Sequence, residues 1–204
     1  ARHGCANRGC RCSRWSTSPG TEVRRRHLLL GSAALPLAWQ AVAADDFALL
    51  LRGGAVVLFR HALAPGTFDP PGLVLSDCST QRNLSDEGRA QARRLGEGFR
   101  QRGLQPAVVK TSPWCRCIDT AQLAFGKAEV WAALGSPTGR TEAERSAQLS
   151  TLKAALAQPR PGRFEVWVTH QFVISALAPG AAASAEGVIL EAGSRRVLGR
   201  LPPP

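Results

Sequence analysis

Four basic side chains in this sequence stand where they could act together on one anion. Arg60 and His61 follow a valine-rich apolar run, Ala55 to Phe59. Arg116 lies one turn into a helical stretch that follows a second apolar run, and His170 closes the run Phe164 to Thr169. Guanidinium groups offer planar forks of donors that match phosphoryl oxygens, and a neutral imidazole is a nucleophile whose second nitrogen can be fixed by a hydrogen bond. Two arginines and two histidines converging at one sheet edge would make a small cationic pocket matched to a phosphoryl dianion. Taken singly, each has a plainer reading as an exposed cation or a hydrogen-bonded structural histidine. Once residues 1–43 are set aside, however, His61 and His170 are the only histidines left.

The elements that must position these groups are legible from periodicity. From residue 45 onward short apolar runs alternate with helical stretches, the pattern of βα units. The expected fold class is α/β, a three-layer α/β/α sandwich with a mostly parallel sheet. A short helix is expected to about Arg52, ended by Gly53-Gly54, and then a central strand over Ala55–Phe59 that is buried on both faces. After an irregular Pro/Gly-rich stretch, Ser85 can cap a helix running to about Arg102, with Ala92, Leu95 and Phe99 on one face. Strands are expected at Pro106–Lys110, Glu129–Trp131, Phe164–Thr169, Gly187–Glu191 and Arg196–Leu201. Helices are expected over 113–125 and 141–157. Open sheets of this kind place ligands beyond their strand ends, where Arg60, His61, Arg116 and His170 fall.

Four segments of the chain resemble the signatures of the histidine phosphatase superfamily, also called phosphoglycerate-mutase-like. Val56-Val57-Leu58-Phe59-Arg60-His61-Ala62 is similar to the strand followed by Arg-His-Gly, and Leu84-Ser85-Asp86-Glu87-Gly88-Arg89-Ala90-Gln91-Ala92 to the second signature. The segment Ser112 to Ala121 matches Ser-x-x-x-Arg-x-x-x-Thr-Ala, and Thr169-His170 the late strand-His. They occur in the family's order over residues 55–178, and order plus spacing makes the resemblance specific. It implies the phosphoglycerate-mutase-like fold and hydrolysis of a phosphomonoester through a phosphohistidine on His61. By the same resemblance Arg60, Arg116 and His170 hold the phosphoryl group, with no cofactor or metal. Arg82 is either a further substrate contact or a solvated loop arginine. Ala62 stands where the family has glycine, which slightly restricts the backbone. The general acid sits on no recognisable motif. Gln171 after His170 cannot serve, and Glu129, Glu142, Glu144 and Asp69 all remain candidates. Arg2-His3-Gly4 spells the family triplet more faithfully, but no strand precedes it.

Charge and cysteines bound the rest. The formal charge is +11, but residues 1–43 hold seven arginines against Glu22, which leaves a mildly basic remainder. A nucleic-acid partner therefore rests on overall pI alone, and none is expected; the expected partner is a small phosphorylated substrate. Residues 1–23, with His3, Cys5, Cys10 and Cys12 lacking zinc-type spacing, are expected to be a disordered extension. Over 24–43, Arg24-Arg25-Arg26-His27, a short apolar stretch and Ala41-Val42-Ala43 resemble a twin-arginine export signal, which implies a periplasmic or secreted phosphatase domain over 44–204. The apolar stretch is too short to span a bilayer, so no membrane span is expected to remain. Cys78, Cys115 and Cys117 would then meet an oxidising space. Cys115 and Cys117, two apart on a helix, point in different directions, so Cys78 is expected to bridge one of them. Two alternatives remain at this stage: a phosphomutase, and a non-catalytic phosphate-binding module of the same fold.

Overall fold

The structure, a computed structural model, describes residues 46–158 and 160–204, all within the unit Val42–Pro204. The extension and export signal expected over 1–43 lie outside the described residues. In chain order the elements are helix α1 (Ala48–Leu51), strand β1 (Ala55–Arg60), helix α2 (Asp86–Gln101), strand β2 (Val108–Thr111), helix α3 (Cys115–Phe125) and strand β3 (Glu129–Val130). Then follow α4 (Glu142–Leu156), β4 (Phe164–Thr169), α5 (Gln171–Leu177), β5 (Gly187–Glu191) and β6 (Val197–Leu201).

One six-stranded sheet has the order β3-β2-β4-β1-β5-β6. The first four strands run parallel, and β5 and β6 close the sheet antiparallel on β1 and on each other. The expected mostly parallel sheet is therefore present, with an antiparallel edge. Strand β1 lies between β4 and β5, and its residues alternate between two cores. Val57 and Phe59 pack with Leu95 and Phe99 of α2 and Ala121 and Ala124 of α3. Val56 and Leu58 pack with Leu152 and Leu156 of α4 and Val173 and Ile174 of α5. Covering both faces explains why β1 reads as a continuous apolar run rather than an alternating one.

Several boundaries differ from the sequence reading. The first helix spans only Ala48–Leu51 and β2 starts at Val108, two residues later than expected. Helix α3 starts at Cys115, with Trp114 at the N-cap in extended backbone. Helix α5 has no counterpart in the sequence reading: its cap, His170, makes no side-chain capping bond, and seven residues give the helical period little room. Helix α4 carries a full capping box between Thr141 and Glu144, and Ser85 caps α2 through the backbone N–H of Gly88.

Candidate active site

Arg60, His61, Asp69, Arg82, Arg116, His170 and Gln171 line one cavity of about 390 Å³, together with Trp114, Ser136 and Phe172. It opens beyond the ends of β1, β2 and β4. His61 is 2% exposed, and Arg116 and His170 are each 3% exposed. The two imidazole rings stand 5.6 Å apart, centroid to centroid. All five site residues expected from sequence, Arg60, His61, Arg82, Arg116 and His170, are thus brought together.

The backbone after His61 is held from three directions. The His61 N–H donates to the carbonyl of Thr169 on β4 at 3.0 Å. The Ala62 N–H donates to Thr120 Oγ1 on α3 at 3.0 Å, and the Leu63 N–H to Gln91 Oε1 on α2 at 3.0 Å. The Leu63 carbonyl accepts the Ser85 N–H, and a methyl group at Gly88 would lie 2.0 Å from that same carbonyl oxygen. This is what the second and third sequence signatures do physically: Ser85, Gly88, Gln91 and Thr120 clamp the strand that presents His61. Ala62, fully buried, keeps an ordinary backbone conformation outside the left-handed region, so the missing glycine has no conformational cost.

Protonation states follow from the bonds. His61 Nδ1 lies 2.8 Å from the carbonyl of Ala62, which can only accept, so Nδ1 carries the proton and Nε2 is left with its lone pair. Burial, and then repulsion from Arg116, Arg82 and Arg60, push this imidazole down to about 3 despite the opposing bond to Ala62. His170 Nδ1 accepts from Arg116 Nη2 at 3.3 Å, which places its proton on Nε2, 2.8 Å from Ser112 Oγ. Burial and the neighbouring Arg116 hold His170 well below the ordinary histidine range as well. Both rings are neutral.

Asp69 is the one carboxylate lining the cavity among the described residues. Its oxygens accept from Arg116 Nη1 at 2.7 Å and Nη2 at 3.1 Å, from Trp114 Nε1 at 3.2 Å and from the Arg82 N–H at 3.0 Å. Burial works to raise its pKa, but the bonds from Arg116 and Arg82 outweigh burial and hold it below the usual carboxylate range. The other three candidate acids lie elsewhere. Glu129 is exposed on the edge strand β3, Glu144 closes the capping box of α4, and Glu142 pairs with Arg145 at 2.6 Å.

Charge in the cavity is unbalanced. Arg60, Arg82 and Arg116 face one carboxylate, and each has a buried Nε–H with no acceptor among the described residues. Arg60 Nη1 donates to the carbonyl of Ala182 at 3.0 Å, and Arg82 Nη1 to that of Ala64, which fixes the guanidinium groups without neutralising them. The loop bearing Asp69 and Arg82 is tied to α3 by a disulfide between Cys78 and Cys115 and by Gln81 Oε1, which accepts the Cys115 N–H at 2.9 Å. The expected bridge from Cys78 therefore falls on Cys115. Cys117 is free and buried, and burial pushes its thiol up to about 12.

Sequence reasoning left out the groups behind the first ring of contacts. Ser112, Arg116 and Thr120 stand at intervals of four, and Thr120 Oγ1 donates to the Arg116 carbonyl at 2.7 Å. Within α3 that spacing is a signal that Thr120 serves the same side as Arg116, whereas Ser112 lies before the helix, just past the end of β2. No comparable local signal marks Asp69 as the partner of Arg116.

The histidine phosphatase superfamily (branch 1) family model matches residues 56–134, which takes in β1 through the turn after β3. Over these residues the chain is similar to that superfamily. A phosphoserine phosphatase mutant from Entamoeba histolytica, solved with phosphoserine, superposes with a TM-score of 0.54 at 13% identity, covering 72% of this chain and 95% of that one. The open reading frame product Rv3214 of Mycobacterium tuberculosis gives 0.52 at 22% identity, covering 71% and 95%. A mutant of TTHB049 from Thermus thermophilus gives 0.50 at 21%, covering 72% and 99%. At these identities the likenesses carry the fold and the order of its elements. Comparison with curated proteins finds no match.

Proposed function

We propose that this protein is an exported phosphomonoester hydrolase that works through a phosphohistidine on His61. The observation that carries the reading is the charge of the cavity. Three guanidinium groups against one carboxylate leave two positive charges. A phosphoryl dianion matches that charge. The superfamily match supports phosphatase chemistry at this site.

In the first step the lone pair on His61 Nε2 attacks phosphorus while the ester P–O bond breaks, and the alcohol leaves with the bonding electrons. The Nδ1–H bond to Ala62 fixes the tautomer that makes this direction of attack available. Arg60, Arg82 and Arg116 stabilise charge spreading over the equatorial oxygens. Water then attacks the phosphohistidine, the N–P bond breaks, and phosphate departs with His61 restored. When phosphoryl oxygens engage Arg116, the pairing that keeps Asp69 ionised is weakened and a dianion is brought beside it. Both changes raise its pKa, so Asp69 is the group to protonate the leaving oxygen and later to take a proton from water. His170 responds in the same sense: the dianion favours its protonated form, which then donates to the phosphoryl group.

The disulfide between Cys78 and Cys115 supports export, because such bonds persist in oxidising compartments. A rapid quench during turnover of an aryl phosphate is expected to trap acid-labile, alkali-stable phosphate on His61. His61→Ala is expected to lose more than about a hundredfold in rate. Retention of more than a hundredth of the activity in that variant would overturn the mechanism.

A further inference from the structure

Beside the phosphoryl cavity lies a second one of about 470 Å³, a groove between α4 and α5. Its walls are mostly apolar: Leu149 and Leu152 from α4, Phe172, Val173 and Ala176 from α5. Two residues, Thr138 and Phe172, line both cavities, so the groove adjoins the chamber that holds His61. Phe172 follows Gln171 at the chamber wall and is 57% exposed, a large ring left in solvent where the two spaces meet. A second ring, Phe68, is 68% exposed and lines the phosphoryl cavity itself. The groove is well braced. Gln148 of α4 donates to the carbonyls of Ala133 and Gly135 at 2.8 and 2.7 Å, which ties α4 to the turn before it. The volume lies in the range of about 300–1,000 Å³ common to small-ligand sites.

We infer that this groove is the leaving-group subsite, and that the substrate is a phosphomonoester of a long-chain apolar alcohol. The inference rests on the phosphatase reading for the position of the phosphoryl group. With phosphorus beside His61, an alcohol carried out past Phe172 meets Leu149, Leu152 and Val173 rather than water. The groove offers a sugar or amino-acid alcohol few partners: Glu142 and Arg145 pair with each other at 2.6 Å, Thr138 Oγ1 accepts from Ser136, Gln148 is spent on the Ala133 and Gly135 carbonyls, and Ser146 alone adds a hydroxyl. An extended apolar chain instead removes the exposed apolar surface from water, which is favourable in proportion to area.

The test is calorimetric titration of the full chain with methyl-, butyl- and octylphosphonate, whose carbon–phosphorus bond cannot be hydrolysed here. Affinity is expected to rise about fourfold for each methylene that enters the groove, so that butyl binds more than tenfold tighter than methyl and octyl tighter still. Equal affinities along the series would overturn the subsite. Ser146→Trp, which fills the groove from the exposed side of α4, is expected to remove at least tenfold of the octyl gain. A gain that survives that substitution would place the chain elsewhere and equally overturn it. The two readings separate cleanly. Tighter octyl binding with no phosphate released from octyl phosphate would sink the phosphatase and keep the groove. Release of phosphate from methyl and octyl phosphate with equal kcat/KM would sink the groove and keep the phosphatase, and no binding by any member would sink both.

Discussion

Arg116 holds more of the site together than any other side chain. It donates to both oxygens of Asp69, to the Arg82 carbonyl and to His170 Nδ1, and it is almost wholly buried. A lysine keeps the charge but cannot bridge a carboxylate and an imidazole from one plane. Arg116→Lys is therefore expected to lower kcat/KM by at least about a hundredfold, measured on an aryl phosphate, a part of the roughly 10³–10⁵ that a single arginine supplies in other phosphoryl-transfer enzymes. Near-normal kinetics would place Arg116 outside the reaction. The two neutral histidines make a second expectation. The unfolded chain takes up a proton on each near the ordinary value of 6.5, whereas folded His61 does so only at about 3 and folded His170 far below 6.5. Between those limits the unfolded state binds more protons, so stability falls as pH falls. The slope reaches about 1.4 kcal/mol per pH unit for each histidine. Urea midpoints measured from pH 7 to pH 5 are expected to drop steadily, and a flat series would contradict the burial of neutral imidazoles.

At the scale of elements, the geometry of the site is set by close backbone approaches. Gly88 sits where a Cβ would meet the Leu63 carbonyl oxygen at 2.0 Å, and Gly96 where one would meet the Ala124 carbonyl oxygen at 2.0 Å. Gly88→Ala has to push α2 away from the segment that follows His61. The expected cost is about 1–3 kcal/mol, as for overpacking generally, with a loss of activity beyond what the lower melting temperature explains. Thermal unfolding and kcat together check this, and an unperturbed Gly88→Ala would mean that the clamp is looser than its distances. Helices and strands were legible in the sequence where the apolar period was long enough to speak, as in β1, α2, α4 and β4. Helix α5 was not, because seven residues without a cap look like any short apolar run. The four basic motif residues were legible for the same reason as the strands, being fixed in number from the strand ends. Asp69 was visible only as one acid among four. Its place depends on a disulfide and on bonds from Arg82 and Trp114, contacts that no local pattern encodes.

Across the whole molecule, the sheet supplies His61 and His170 from its rigid interior, while the loop between β1 and α2 supplies Asp69 and Arg82 from outside it. That loop is stapled to α3 by Cys78 and Cys115, 37 residues apart, and closing a loop of this length stabilises by about 3–4 kcal/mol in the chain-entropy model. Reduction with dithiothreitol is expected to lower both the melting temperature and kcat/KM, the latter by at least about tenfold as Asp69 and Arg82 lose their fixed positions. If the reduced protein kept both values, the loop would be held without the bond. Cys117 takes no part: in the protein beginning at residue 44, titration after denaturation without reductant is expected to find one thiol.

On the reading proposed above, the staple would also make the chain a latent enzyme. Where thiols are kept reduced, the newly made polypeptide has its nucleophile and the sheet that carries it, but the wall of the chamber opposite is untethered. On that reading phosphate esters met at that stage would be turned over more slowly. By the same reading the last wall closes only where two thiols can be joined, and one covalent bond sets when the site reaches full activity.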